Sequence, residues 1–356
     1  MKTLLFAGIL SFVLNAPSFG KTFVYVSVDG ESRIAIFQVD EMSGKLSALG
    51  SKQLDATPGP LTTDPTKRFM FASLRSSSEL TSFKIDPTSG KLRTICTIPA
   101  GDDPAYVWTD RTGRFLLTAY YVASKVTVHE IGHDGTLKQP PLQTIPTDEK
   151  AHGIMTDRKN RFAFVPHTGP NAIYQFLFDQ KSGKLTKNKP WIIETGADTG
   201  PRQLAFHPTL DIVYFDYEQG SAIAAFDLDR ATGRLTFRQR LSSLPDSFHE
   251  PNSNARIEMT PNGHFIYVAN RGHQSLAGYA INQQTGHLTP LGQTATEANP
   301  RAFGIDPMGK FLYAAGQDTG KLAAFRIEPQ TGALARFDTY EIGLRPWWVL
   351  VTQTSD

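Results

Sequence analysis

Seven short stretches of one kind recur along the chain: Ser43-Gly44-Lys45-Leu46, Ser89-Gly90-Lys91-Leu92, Asp134-Gly135-Thr136-Leu137, Ser182-Gly183-Lys184-Leu185, Thr232-Gly233-Arg234-Leu235, Thr285-Gly286-His287-Leu288 and Thr331-Gly332-Ala333-Leu334. Successive glycines are 46, 45, 48, 50, 53 and 46 residues apart, a period that marks a repeat architecture. Before each glycine turn lies a segment that alternates apolar and polar residues with period two, such as Ile34–Val39, Leu80–Ile85 or Leu322–Ile327. An earlier strand, such as Phe69–Ser73, Phe265–Ala269 or Phe311–Ala315, follows a turn rich in Asp, Pro, Asn and Gly, as in Asp64-Pro65-Thr66-Lys67 and Asp306-Pro307-Met308-Gly309. Each period therefore reads as a four-stranded antiparallel meander. A sheet that small cannot bury both faces alone, whereas seven arranged around an axis can. The expected fold is all-β, a seven-bladed β-propeller.

The ends of the chain fit ring closure. The first copy begins at its second strand, Thr22–Ser27, and the chain finishes with an unmatched strand, Trp347–Val351. That C-terminal strand is expected to complete the first blade and remove an open sheet edge. Residues 21 to 352 contain no linker, low-complexity tract or charge run, so they read as one propeller domain, with 353–356 as a tail. Residues 1–20 combine Lys2, an apolar run from Leu4 to Leu14 and the small residues Ser18 and Gly20, the pattern of a cleavable signal peptide. A periplasmic or secreted protein is expected, with no membrane association after cleavage.

Composition narrows the function classes. With 36 Lys+Arg against 34 Asp+Glu the formal charge is +2, which argues against bulk electrostatic binding of nucleic acid. The single cysteine, Cys96, excludes an intrachain disulfide, a CxxC redox pair and cysteine-based metal centres. No HExxH, Walker, G-x-G-x-x-G or G-x-S-x-G motif is present, so neither a metal nor another cofactor is expected and an acyl-serine route is disfavoured. Nothing in the composition calls for a partner chain, and a monomer is expected.

In a propeller, equivalent positions of successive blades share height and radius, so the repeat becomes a map. Six residues beyond the residue that opens each second strand stand Asp29, Arg75, Tyr121, Thr168, Glu218, Arg271 and Gln317. Near the starts of the innermost strands stand Ala105, His152, Arg202, Ala255 and Arg301. Both series open at the same mouth of the central channel. They are expected to gather His152, Arg202, Glu218, Arg271, Arg301 and Gln317 there, with Asp29 and Arg75 completing the ring and His273 close by. Arginine forks bind carboxylate or phosphate oxygens and stabilise a developing oxyanion, and a histidine beside a carboxylate supplies a base. The bland alternative is that these charges only satisfy one another. His207 is expected in a turn or at the channel floor. Trp347 and Trp348 are read as packing residues, one of which could face the mouth.

Gly200-Pro201-Arg202-Gln203-Leu204-Ala205-Phe206-His207-Pro208, Tyr217-Glu218, Tyr267-Val268-Ala269-Asn270-Arg271-Gly272-His273, Pro300-Arg301-Ala302-Phe303 and Ala315-Gly316-Gln317-Asp318 resemble the β-propeller lactonase family, which includes propeller-type 6-phosphogluconolactonase and carboxy-muconate lactonizing enzyme. The resemblance covers essentially all of residues 21 to 352. It implies a metal-independent site with His152, Arg202, Glu218 and Arg271 as the catalytic group, while the register map supplies Arg301, Gln317, His273 and Arg75 as substrate-binding candidates. In blade six, where relatives carry an acidic residue and a histidine, this chain has Arg256 and Glu258, which exchanges charge near the pocket. The leading expectation is hydrolysis of a sugar-type or other anionic lactone, with water activated by His152 assisted by Glu218. A non-catalytic exported binding module and a muconate-type cyclase or isomerase are the alternatives.

Overall fold

The computed structural model describes residues 20–354, so the expected signal segment falls outside the described residues apart from Gly20. Seven four-stranded sheets make up the fold, each strand pairing antiparallel with its neighbours. In blade one the strand Pro346–Gln353 pairs with Thr22–Val28, Leu350 opposite Tyr25, so the last strand completes the first sheet. The closing strand runs to Gln353, one residue past the expected boundary, and Thr354 N donates to Lys21 O at 3.0 Å. Among the described residues no helix is long and apolar enough to cross a membrane.

The two residue series that reveal the repeat meet in space. Gly44, Gly90, Gly135, Gly183, Gly233, Gly286 and Gly332 each lie against the side chain that opens the second strand of the preceding blade: Phe311, Phe23, Phe69, Phe115, Phe162, Ile212 and Phe265. All seven have positive φ, from 67° to 84°, and a Cβ there would enter the neighbouring side chain. Both requirements select glycine. Tyrosine hydroxyls fasten some of the same turns, as where Tyr313 donates to Gly44 O at 2.7 Å and Tyr25 to Gly90 O at 2.8 Å. Gly44 on Phe311 joins the first blade to the seventh, so ring closure uses the same contact as every other joint. We expect Gly44→Ala to lower the free energy of unfolding by roughly 2–5 kcal/mol, backbone strain adding to overpacking. Gly50 has φ +106° but nothing within 4 Å of where a Cβ would stand, so Gly50→Ala should cost only the backbone part, about 1–2 kcal/mol. Equal urea midpoints for the two variants would remove the packing argument.

In blades two to seven the turn into the second strand is stapled by its first residue. Asp64, Asp110, Asp157 and Asp306 accept from the backbone N–H of Phe69, Phe115, Phe162 and Phe311 at 2.6–2.9 Å. Thr260 substitutes in blade six, accepting from Phe265 N at 3.0 Å. His207 does so in blade five, its Nδ1 accepting from Leu210 N at 2.9 Å. This is the turn role expected for His207, at the end of the innermost strand Pro201–Phe206.

The innermost strands determine what reaches the axis. Five of them begin at proline: Pro58, Pro104, Pro201, Pro300 and Pro346. Proline lacks an N–H for a ladder and suits a first strand position. Immediately after, the register slips in six blades, leaving Gly59, Ala105, Arg202, Ala255, Arg301 and Trp347 among the unpaired residues. In blade four the innermost strand shortens to Met155–Thr156, with an isolated bridge Ala151↔His167 ahead of it, and His152 lies in the interruption. Such bulges re-aim side chains. Here they put two arginines, a tryptophan and, in the blade-four gap, a histidine at the strand starts.

Candidate active site

Glu218 stands just beyond the second strand of blade five, Ile212–Tyr217, and bonds to two blades. Its Oε1 pairs with Nη2 of Arg271 from blade six, and its Oε2 lies 3.6 Å from Nε of Arg202 in its own blade. Local backbone makes this possible. Gly200, at φ +56°, accepts from Glu218 N at 2.7 Å, and a side chain there would run into Gln219. Arg271 is held further by Ser253 O at 3.4 Å and Asn254 O at 3.1 Å.

Arg202 is 2% exposed, yet its Nε and Nη1 donors make no hydrogen bond. Burial first, offset by Glu218 and reinforced by Arg271, pushes its pKa down to about 10. Arg301 has neither a hydrogen bond nor an ion pair among the described residues; its guanidinium lies 3.7 Å over the ring of Trp347. Burial, then Arg202, Arg271 and Arg75, push its pKa well below the usual guanidinium range. Arg75 also lies over Trp347, at 5.1 Å, but is neutralised by Asp103, to which its Nε donates at 2.7 Å.

His152 is buried, its ring edge-on to Tyr121 at 5.3 Å, and its Nδ1 has no hydrogen-bond partner. Burial, followed by Arg202, Arg301 and Arg75, drives its pKa well below the ordinary histidine value, so it is neutral at physiological pH. Glu218 makes no hydrogen bond or ion pair with it; both carboxylate oxygens face arginines. The expected His152–Glu218 pairing is thereby corrected, because in this register guanidinium groups reach the carboxylate first.

Two other expected members turn elsewhere. Gln317 accepts from Asn299 Nδ2 at 3.3 Å and lines an outer cleft with Glu31, Asp318 and Arg345. His273 bonds Ser275 Oγ through Nδ1 at 2.7 Å and packs edge-on to Phe248 at 4.7 Å. Neither makes a hydrogen bond, ion pair or ring contact with the arginine group among the described residues. Asp29 lies in a short 3-10 turn, 3.2 Å from Arg345.

Below the mouth, Arg256 pairs with Glu258, lies 4.0 Å over the ring of Trp348 and donates to Gln203 Oε1 at 3.3 Å, so side chains of blades one, five and six meet across the channel. Sequence reading missed Asp216. It is fully buried in the second strand of blade five, with Oδ1 accepting from Gln203 N at 2.7 Å and Oδ2 unpartnered. Burial, offset first by Arg202, raises its pKa to about 6. A carboxylate inside the otherwise apolar and aromatic strand IVYFDY was the available signal. Among the described residues no group of three His, Cys, Asp or Glu side chains is placed to hold a metal ion.

Buried titratable groups also make stability depend on pH. His129 and His167 are buried and pushed down to about 4, chiefly by burial, so between 4 and 6.5 the unfolded chain binds more protons than the folded one. Their contribution is lost as pH falls from 6.5 toward 4. Asp216 acts oppositely, since its raised pKa favours the fold as pH falls through 6. His152 and His207 are shifted in the same direction as His129 and His167, and Asp306 in the same direction as Asp216, so the histidines prevail and the unfolding free energy should be lower at pH 5 than at pH 7 by on the order of 2 kcal/mol or more. Urea melts at the two values test this; equal or greater stability at pH 5 contradicts it.

The family model described as lactonase, seven-bladed β-propeller, matches residues 18–100 and 95–351. The chain belongs to this family. Among curated proteins, this lactonase-family chain is 32% identical over 227 residues to a 6-phosphogluconolactonase of Pectobacterium carotovorum subsp. carotovorum, covering 64% of this chain and 68% of that one. It is 29% identical over 228 residues to one of Xenorhabdus nematophila, with coverage of 64% and 68%. Among solved structures, a periplasmic gluconolactonase of Pseudomonas aeruginosa superposes with a TM-score of 0.87 at 23% identity, over 95% of this chain and 100% of that one. At that identity the likeness bears on the lactonase-family fold alone.

Proposed function

We propose that this lactonase-family chain is an exported, monomeric hydrolase that opens a sugar-type anionic lactone at the arginine-rich mouth. The observation that carries this reading is an excess of cationic donors: buried Arg202 has no hydrogen bond at Nη1 and only a 3.6 Å ion pair at Nε, Arg301 has no ion pair among the described residues, and the carboxylate of Glu218 is shared by Arg202 and Arg271. The names of the relatives support lactone hydrolysis as the reaction class. A periplasmic relative of the same fold and the signal-like residues 1–20 support export.

In this mechanism neutral His152 accepts a proton from water as the water oxygen bonds to the lactone carbonyl carbon. The carbonyl oxygen takes up negative charge and is held by the free Nη1 of Arg202, with Arg271 beside it. Collapse re-forms the carbonyl and breaks the ring C–O bond, and protonated His152 returns the proton to the leaving alkoxide. Glu218 holds Arg202 and Arg271 in place and keeps the group from being overwhelmingly cationic. Burial favours the neutral imidazole and makes it a weaker base, so part of the rate must come from the arginine side.

The test is a pH-stat assay of the mature chain, residues 21–356, on glucono-δ-lactone with and without a 6-phosphate. Hydrolysis above the spontaneous rate supports the proposal. No acceleration on either lactone, or loss of a muconate ultraviolet band instead, counts against it.

A further inference from the structure

Arg301 poses a physical problem. A partly buried guanidinium among Arg202, Arg271 and Arg75 should attract a counter-charge, yet none of its five N–H donors is used by the protein. The nearest stabilising group is an aromatic face. Trp347 is left out of the ladder in the bulge between Val28↔Pro346 and Ser27↔Trp348, as Arg301 is left out between Pro300↔Gly316 and Ala302↔Ala315. The bulges of two adjacent innermost strands thus bring an indole and a guanidinium together. Arg75 and Arg345 also lie over that indole, at 5.1 and 5.9 Å, but each has its own carboxylate, Asp103 and Asp29. Arg301 alone of the three is unpaired. A cation–π contact holds a guanidinium without consuming a donor, because the attraction is to the ring face.

We propose that Arg301 and Trp347 form an anion subsite, with Trp347 a positioning residue that holds the Arg301 guanidinium while its donors remain free for a phosphate monoester. The subsite rests on the lactonase reading for its physiological ligand, a lactone carrying a phosphate away from the ester that is opened. It goes beyond that reading in assigning the phosphate to Arg301, which has no ion pair among the described residues, rather than to Arg271, whose Nε and Nη2 are engaged by Glu218 and backbone carbonyls. Trp347 becomes part of the site rather than packing.

Calorimetric titration of the mature protein with inorganic phosphate tests this without requiring turnover. Saturable binding is expected in the wild type and a loss of tenfold or more in Arg301→Gln. Trp347→Ala should weaken phosphate about tenfold, and Trp347→Phe, which restores an aromatic face, should recover most of it. Kinetics give a second readout: Trp347→Ala should raise KM for the phosphorylated lactone several-fold more than for the unphosphorylated one, with the loss in KM rather than kcat. Thermal melts identify any variant that fails to fold, in which case Trp347→Leu replaces Trp347→Ala. Wild-type phosphate affinity in Arg301→Gln overturns the subsite, and wild-type affinity in folded Trp347→Ala or Trp347→Leu overturns the positioning role. A protein that binds phosphate through Arg301 but opens no lactone refutes the hydrolase reading and leaves the subsite standing.

Discussion

Replacement of His152 by alanine is expected to lower kcat for lactone hydrolysis about 10²- to 10⁴-fold, the usual range for losing a positioned general base. Its ring is buried, neutral and free of a hydrogen bond at Nδ1, so removing it costs packing against Tyr121 but strands no charged partner. The variant should therefore fold, and a melting temperature close to wild type separates a lost base from a lost structure. Because burial and three arginines hold the imidazole pKa well below its ordinary value, the acid limb of the wild-type kcat/KM profile should lie below pH 6.5. A rate within threefold of wild type in His152→Ala would mean that water is activated elsewhere, and Asp216, with its unpartnered Oδ2, would be the next carboxylate to examine.

Glu218→Gln should damage both stability and turnover. The carboxylate is the counter-charge for Arg271 and for Arg202, whose side chain is 3% exposed. Amide substitution keeps the volume and removes the charge, leaving guanidinium groups to repel one another beside Arg301. Breaking such a buried pair costs about 3–5 kcal/mol, and the 17% exposure of Glu218 places the expectation near the lower end, about 3 kcal/mol. Arg271 loses its side-chain tether in the same step, so kcat/KM should fall by about 10²-fold or more. Phosphate should raise the melting temperature of Glu218→Gln more than that of wild type, because a bound anion replaces part of the missing charge. Calorimetric melts with and without phosphate give the answer; a variant as stable as wild type would show that Glu218 is not the keystone of the arginine group.

Glu218 also shows where reading the chain stops being sufficient. Its expected place at the mouth followed from counting six residues past Ile212, and in the structure it lies between Arg202 and Arg271. The same count placed Gln317, whose side chain turns to Asn299. Strand register locates a backbone, whereas the direction of a side chain depends on loops and bulges whose geometry is settled by packing. Asp216 went unnoticed because a buried acid within a strand has no periodic signature, and its neighbour Arg202 is fourteen positions earlier in the chain.

The sequence by itself determined the number of blades, the order of strands and the closure of the first sheet by the last strand. Those features rest on local requirements, a glycine that tolerates positive φ and an apolar residue to lie against it, repeated until the ring is full. Only the tertiary structure decided which charges pair. Glu218 serves two arginines rather than His152, and Arg301 rests on Trp347 without a counter-ion. Electrostatic pairing depends on distances of a few ångströms between side chains from different blades, and bulges in the innermost strands set those distances.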